Sequence, residues 1–217
     1  MSDKASCMKR ARYTTWNGLV SNLEVGDILF IQNVKTLSKL VRYVTRSYWS
    51  HVGMIFEIMH ADTQNRIVLV IEAQDAGIEI HCLHNYVNRL GINRIGVKRL
   101  PGLTEEHTQK IRGFFLNEVD TPYDYRRMYS YFLSALIARI SGFDMSDFFI
   151  RKGVTLENFV CSSFVQRAFY LALPPRDRDR AVFRQGKNIN LLQQLEVCSP
   201  TDIAKSTNTE WLWNPHR

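Results

Sequence analysis

The strongest constraint on the fold is a succession of short apolar runs broken by turn chemistry. Residues 52–58 and 67–71 are two such runs, joined by the polar segment 59–66. Runs of this length, rich in Val and Ile, read as strands, and the short polar joint makes an antiparallel hairpin the economical arrangement. A third strand, 77–82, follows a glycine turn, and 92–100 reads as another, stopped by Pro101-Gly102. Upstream, Gly26-Asp27 is turn chemistry leading into the continuously apolar 28–31, so 25–32 reads as a turn and a buried strand.

Helical spacing alternates with these strands. Apolar residues at 34, 37, 40, 41 and 44 predict a short helix over 34–45, and Thr104 with Glu106 and His107 opens a helix to about residue 119 with Ile111, Phe114 and Phe115 inside. Phe164, Val165, Ala168, Phe169 and Ala172 form an apolar stripe on a helix that begins at Cys161. The segment 120–158 combines Tyr123-Asp124-Tyr125 with an aromatic stretch at Tyr129, Phe132, Leu133, Leu136, Ile137 and Ile140. It reads as core, or as an insertion forming a lid or acyl-binding surface.

Cys161 and His51 are the residues with chemical potential. A cysteine in the first turn of a helix lies where unpaired N–H groups and the helix dipole favour thiolate, and a histidine at the start of a strand can take its proton. The N–H of Cys161 is also suited to donate to the oxyanion of an acyl intermediate. If the hairpin turns near residue 62 or 63, His51 lies across from residues 73–75. Glu72 and Gln74 share one strand face, so either can receive the imidazole N–H and orient the ring. Tyr43, Tyr123 and Tyr125 are candidates by type for completing an oxyanion pocket, and spacing selects none of them.

In order, the segments Gly26-Asp27-Ile28-Leu29-Phe30, Ser50-His51-Val52-Gly53-Met54-Ile55, Val70-Ile71-Glu72-Ala73 and Cys161-Ser162-Ser163-Phe164-Val165 resemble the circularly permuted branch of the NlpC superfamily of papain-like cysteine peptidases and amidases, the YaeF/YiiX-like group. Ser199-Pro200-Thr201-Asp202-Ile203-Ala204 is similar to that family's Pro-Asp segment, and the resemblance spans roughly residues 23–206. It implies an α+β, permuted papain-like (NlpC-type) fold, with a small antiparallel sheet or half-barrel packed against helices. It also implies a thiol hydrolase that cleaves an amide or ester through a Cys acyl-enzyme, with Cys161 as nucleophile, His51 as base and acid, and Glu72 favoured over Gln74 as the orienting residue. The substrate would be a peptide, an amino-acid amide or a lipid acyl compound, and no cofactor is required. A lipid acyltransferase or thioesterase on the same fold, and a catalytically silent binding module, are the alternatives.

The rest of the chain narrows these readings. Residues 1–20 are polar and predict a flexible arm, with Trp16 available to tack it onto the body; one domain is expected over 21–206, and 207–217 form a C-terminal tail. The longest apolar stretch, 129–140, is interrupted by Ser130, Ser134 and Arg139, so no transmembrane segment is expected. The N-terminus lacks the apolar core of a secretion signal, which points to a cytoplasmic protein. Of the four cysteines, Cys82 and Cys198 read as small buried hydrophobes and Cys7 as an unemployed thiol in the arm. The net charge of +7 is dispersed and no nucleic-acid motif accompanies it, so no nucleic-acid partner is expected. His81, Cys82, His84 and His60 lie near one another in sequence, but strand alternation separates His81 from Cys82 and no second zinc-type cluster follows, so no metal site is expected.

Overall fold

The computed structural model describes residues 12–13, 15–33, 47–60, 66–74, 77–87, 93–118, 161–183, 191–196 and 198–214. The helix expected over 34–45, the aromatic segment 120–158, and Cys7, Tyr43, Tyr123 and Tyr125 lie outside these residues.

The apolar runs form one sheet: β1 (Ile28–Asn33), β2 (His51–His60), β3 (Arg66–Gln74), β4 (Gly77–Cys82), β5 (Asn93–Arg99) and β6 (Glu210–Trp213), in the order β4-β3-β2-β1-β5-β6. Every neighbouring pair is antiparallel. The helices are α1 (Trp16–Ser21), α2 (His84–Val87), α3 (Glu105–Glu118), α4 (Cys161–Ala172), α5 (Leu191–Glu196) and α6 (Pro200–Lys205), with a 3-10 turn at Pro175–Ala181.

Strand alternation sends the sheet's side chains to two apolar layers. Val52, Met54, Phe56, Ile71 and Ala73 pack on one face with Ile111 and Phe115 of α3 and with Cys161, Phe164, Val165, Ala168 and Phe169 of α4. Ile55, Val68 and Val70 pack on the other with Leu19, Leu23, Leu83 and Tyr86. Phe164 stacks against Phe115 at 4.8 Å between ring centroids, and truncating so buried a phenylalanine costs about 3–5 kcal/mol. A bulge between Ile55 and Glu57 turns consecutive residues toward α3: Phe56 meets Phe115, and Glu57 Oε1 accepts from Arg112 Nη2 at 3.0 Å.

The start of β1 is clamped. Gly26 has a φ of +93°, a backbone that non-glycine residues rarely adopt, and its N–H donates to Ile55 O at 2.9 Å. Asp27 beside it is buried and receives Arg99 of β5 through both oxygens, Nε at 2.6 Å and Nη2 at 2.7 Å, while Arg99 Nη1 reaches Glu24 at 2.6 Å. Burial pushes the Asp27 carboxyl above its ordinary range despite the Arg99 charge.

Described residues of both terminal segments pack onto the body. Thr15 caps α1, Leu19 is fully buried, and Trp16 sits edge-on to Trp213 at 6.0 Å. Arg12 and Tyr13 donate their N–H groups to Trp211 O and Leu212 O at 3.2 and 3.0 Å, so residues 12–13 run alongside β6. The described residues of these two segments, polar with a few apolar anchors each, are thus held by one another and by the sheet.

Lys98 of β5 is buried without a carboxylate partner among the described residues. Its Nζ donates to Ile203 O, Ala204 O and Ser206 O at 3.1, 2.9 and 2.8 Å, and lies 5.1 Å from the Trp211 ring centroid. It thus occupies the C-terminal end of α6, where carbonyls and helix dipole favour a cation. Burial nonetheless brings its ammonium down to about 7.

Candidate active site

The site forms where β2 and β3 part. Their pairing begins at Met54 and Ile71, so toward the start of β2 the Val52 N–H lies beyond the ladder. That N–H donates to the sulfur of Cys161, the first residue of α4, and the Ser162 N–H donates to it as well. By alternation His51 and Glu72 belong to the face opposite α4. The sulfur and the imidazole thus approach the parted strands from opposite sides.

Local sequence fixes each partner. Gln166 in α4 is fully buried; its Nε2 donates to Gln194 O and Leu195 O at 2.9 and 3.1 Å, and its Oε1 accepts the Phe183 N–H at 2.7 Å. Ser162 Oγ donates to Cys198 O at 2.6 Å, which ties the first turn of α4 to the segment entering α6. The Pro-Asp segment builds that entry: Ser199 Oγ accepts from the Asp202 N–H at 3.2 Å, and Asp202 Oδ2 accepts from the Ser199 N–H at 2.8 Å. Its part is to seat the cysteine helix. Ser50, just before His51, donates both its N–H and its hydroxyl to Ile31 O at 3.0 Å, anchoring the start of β2.

The thiol of Cys161 and the imidazole of His51 are hydrogen-bonded, and His51 Nε2 lies 2.8 Å from Glu72 Oε2. Nε2 is thus engaged by the carboxylate and Nδ1 is left for the sulfur. The ring N–H is off the direct line to Oε2, so the contact is a close pairing with a bent hydrogen bond. Glu72 is almost fully buried, and Cys161 is 6% exposed.

The three groups sustain one another's charge. Burial opposes an imidazolium at His51 more than any other influence. The Cys161 sulfur and the Glu72 carboxylate together outweigh it, and hold the ring's proton well above the usual histidine range. Burial likewise opposes a thiolate at Cys161, but the His51 charge and hydrogen bond, with the N–H groups of Val52 and Ser162, bring the thiol below its ordinary value. Burial raises Glu72, and His51, Tyr86 and Gln74 together more than offset it, so the carboxylate is held low. The arrangement suits a thiolate and imidazolium pair beside a permanent anion.

Of the two residues that strand parity leaves open, Glu72 meets the imidazole. Gln74 instead donates its side-chain amide to Glu72 Oε1, and the Tyr86 hydroxyl donates to the same oxygen. His81 pairs with Glu79 at 2.7 Å and stands 3.9 Å from Glu72 Oε1, while His60 and His84 are exposed. Cys82, Cys161 and Cys198 form no disulfide among the described residues.

Sequence reasoning missed Tyr86 and the meaning of Gly53. A Cβ on Gly53 would stand 3.0 Å from Ile71 O, 3.1 Å from Val70 Cγ1 and 3.2 Å from Glu72 Cβ. The glycine between His51 and Ile55 therefore leaves the space through which Glu72 reaches the imidazole. A glycine inside a strand is the usual mark of such close approach.

Residues 22–213 match the family of permuted papain-like amidase enzymes, YaeF/YiiX, C92 family. The chain belongs to this family. It is accordingly a cysteine hydrolase of the peptidase and amidase kind, with the α+β fold that the motifs implied. Among solved structures, the metalloprotein YiiX from Escherichia coli O157:H7 is similar in fold, with a TM-score of 0.53 and 20% identity over 87% of this chain and 95% of that one. No curated protein matches the sequence. Among the described residues of this C92 family member, no three His, Cys, Asp or Glu side chains are grouped to hold a metal ion. Nor is any helix among them long and apolar enough to cross a membrane.

Proposed function

We propose that Cys161, His51 and Glu72 act as a catalytic triad that hydrolyses an amide bond in a peptide-like substrate. The observation that carries this reading is the chain of contacts from the Cys161 sulfur through the His51 ring to the buried Glu72 carboxylate at 2.8 Å.

In the first half-reaction the thiolate attacks the carbonyl carbon, forming a C–S bond while the carbonyl electron pair moves to oxygen. The Cys161 N–H, in the first turn of α4, is suited to receive that oxyanion. As the oxyanion collapses, His51 gives its Nδ1 proton to the departing nitrogen, the C–N bond breaks and a thioester remains. In the second half-reaction His51 takes a proton from water, hydroxide oxygen attacks the thioester carbonyl, and the C–S bond breaks to release the acid and restore the thiolate. Glu72 stays ionised throughout and keeps the ring oriented.

The test is intact-mass spectrometry after incubation with a panel of peptide, amino-acid amide and lipid ester acyl donors. An acyl adduct on Cys161 that is absent in Cys161→Ala, formed from amides, is the expected result. Adducts from lipid esters alone would move the protein to the acyltransferase or thioesterase class. Turnover surviving in Cys161→Ala would refute the mechanism.

A further inference from the structure

We propose that Tyr86 and Gln74 are positioning residues, forming a two-donor cradle that holds one oxygen of Glu72 so that the other stays against His51. The inference rests on the triad reading above and adds two residues to it.

A glutamate has one more rotatable bond than an aspartate, and its terminal torsion is broad and two-fold. Buried and unheld, its carboxylate could turn either oxygen, or neither, toward the imidazole. Here the two oxygens are divided between partners. Oε2 faces His51, and Oε1 receives the Gln74 amide from the same strand and the Tyr86 hydroxyl from α2. Two donors arriving at one oxygen from different elements fix the carboxylate plane.

Tyr86 is placed for this by its own backbone. The Leu83 N–H donates to Val68 O of β3 at 2.8 Å, and the Tyr86 N–H donates to Leu83 O at 3.0 Å, so the four-residue helix is tied back onto the strand that carries Glu72. The ring is buried among Leu83, Val68 and Val70. Both donors are neutral and add no second cation to compete with His51. The neighbouring cation candidate, His81 of β4, lies 3.9 Å from Oε1 and is engaged by Glu79 at 2.7 Å. Among the described residues, the titratable groups that face the cradle are Cys161 from α4, His51 from β2, and His81 and Glu79 from β4.

The test follows the His51 ring protons by NMR through a pH titration, in Tyr86→Phe and Gln74→Leu, each alone and each combined with Glu72→Gln. A freed carboxylate spends less time at the ring, so each substitution should lower the His51 midpoint by about half a pH unit or more. In the Glu72→Gln background, the same substitutions should leave it in place. A midpoint that does not move, or that falls equally in both backgrounds, overturns the cradle. A rise would also overturn it, because then the donors merely drain charge from a carboxylate held by other contacts. Gln74→Leu decides the question if Tyr86→Phe does not fold. The triad reading is judged separately, on alkylation of Cys161 in the wild-type protein: a sulfur no more reactive than Cys82 removes the triad reading, while the His51 shift still judges the cradle.

Discussion

Gly53→Ala isolates a single methyl group at the centre of the account. The backbone there is not left-handed, so the demand on Gly53 is for space and not for an unusual φ. The new Cβ would meet Ile71 O at 3.0 Å, Val70 Cγ1 at 3.1 Å and Glu72 Cβ at 3.2 Å. The first of these is backbone and cannot swing aside, so β2 and β3 must separate by a few tenths of an ångström. Overpacking of this kind typically costs about 1–3 kcal/mol. At roughly 2–4 °C per kcal/mol for a chain of this size, thermal unfolding should shift down by about 2–12 °C. Reactivity should suffer more than stability, because Glu72 moves relative to His51, and misplacement approaching an ångström can cost about 100-fold. A loss of roughly 10-fold in the rate of Cys161 alkylation at mildly acidic pH is expected for the smaller shift. Gly113→Ala is the control: it lies in α3 with nothing among the described residues within 4 Å of the added Cβ, and a mid-helix Gly→Ala should raise the unfolding midpoint by roughly 2–4 °C. Calorimetry and peptide-mapped alkylation read both quantities. A Gly53→Ala protein with wild-type midpoint and wild-type reactivity would refute the claim that this glycine opens the path for Glu72.

Two further predictions concern the frame of the site. Asp27→Ala leaves the Arg99 guanidinium partly buried without its bidentate partner and should lower stability by about 3–5 kcal/mol in denaturant titration; a change under about 1 kcal/mol would mean the clamp is ornamental. Lys98, brought down to about 7 by burial, binds fewer protons folded than unfolded between there and its ordinary 10.5, so its charge weakens the fold at neutral pH and that penalty fades as pH rises. The unfolding free energy of wild type minus that of Lys98→Met should accordingly grow in the wild type's favour from about pH 7 to 10, and a flat difference would contradict the assignment.

How much of this was legible in the sequence depended on the range of the interaction involved. The strands β2 to β5 and the helices α3 and α4 follow from local periodicity, and each appears within three residues of its expected bounds. A turn near residue 62 or 63 also predicted that His51 faces residues 73–75, and the register of the last pair, Met54 with Ile71, carried past the end of the ladder sets His51 opposite residue 74. Choosing between Glu72 and Gln74 was beyond parity, since both share a face. What separates them is the empty position at Gly53, whose meaning requires the register. Tyr86 was hidden for a different reason: a four-residue helix has no periodicity, and its bond to Glu72 is purely tertiary. The strand β6 was missed because Glu210–Trp213 is short and set in a polar tail, and only its pairing with β5 makes it a strand. Burial of Lys98 in β5 is likewise explained only by the carbonyls at the end of α6, about a hundred residues away.

The central claim is a thiolate at Cys161 sustained by His51, and the pH dependence of its alkylation tests that most directly. With the thiol below and the imidazole above their ordinary values, the ion pair should persist across neutral pH. It should be lost toward acid as the sulfur is protonated, and toward base as His51 gives up its proton. At about pH 6, peptide mapping after brief iodoacetamide treatment should show Cys161 modified ahead of Cys7, Cys82 and Cys198, because an ordinary thiol is almost wholly protonated there, and His51→Ala should abolish that preference. Cys161 labelling no faster than Cys82 at that pH, or a preference that survives in His51→Ala, would contradict the account.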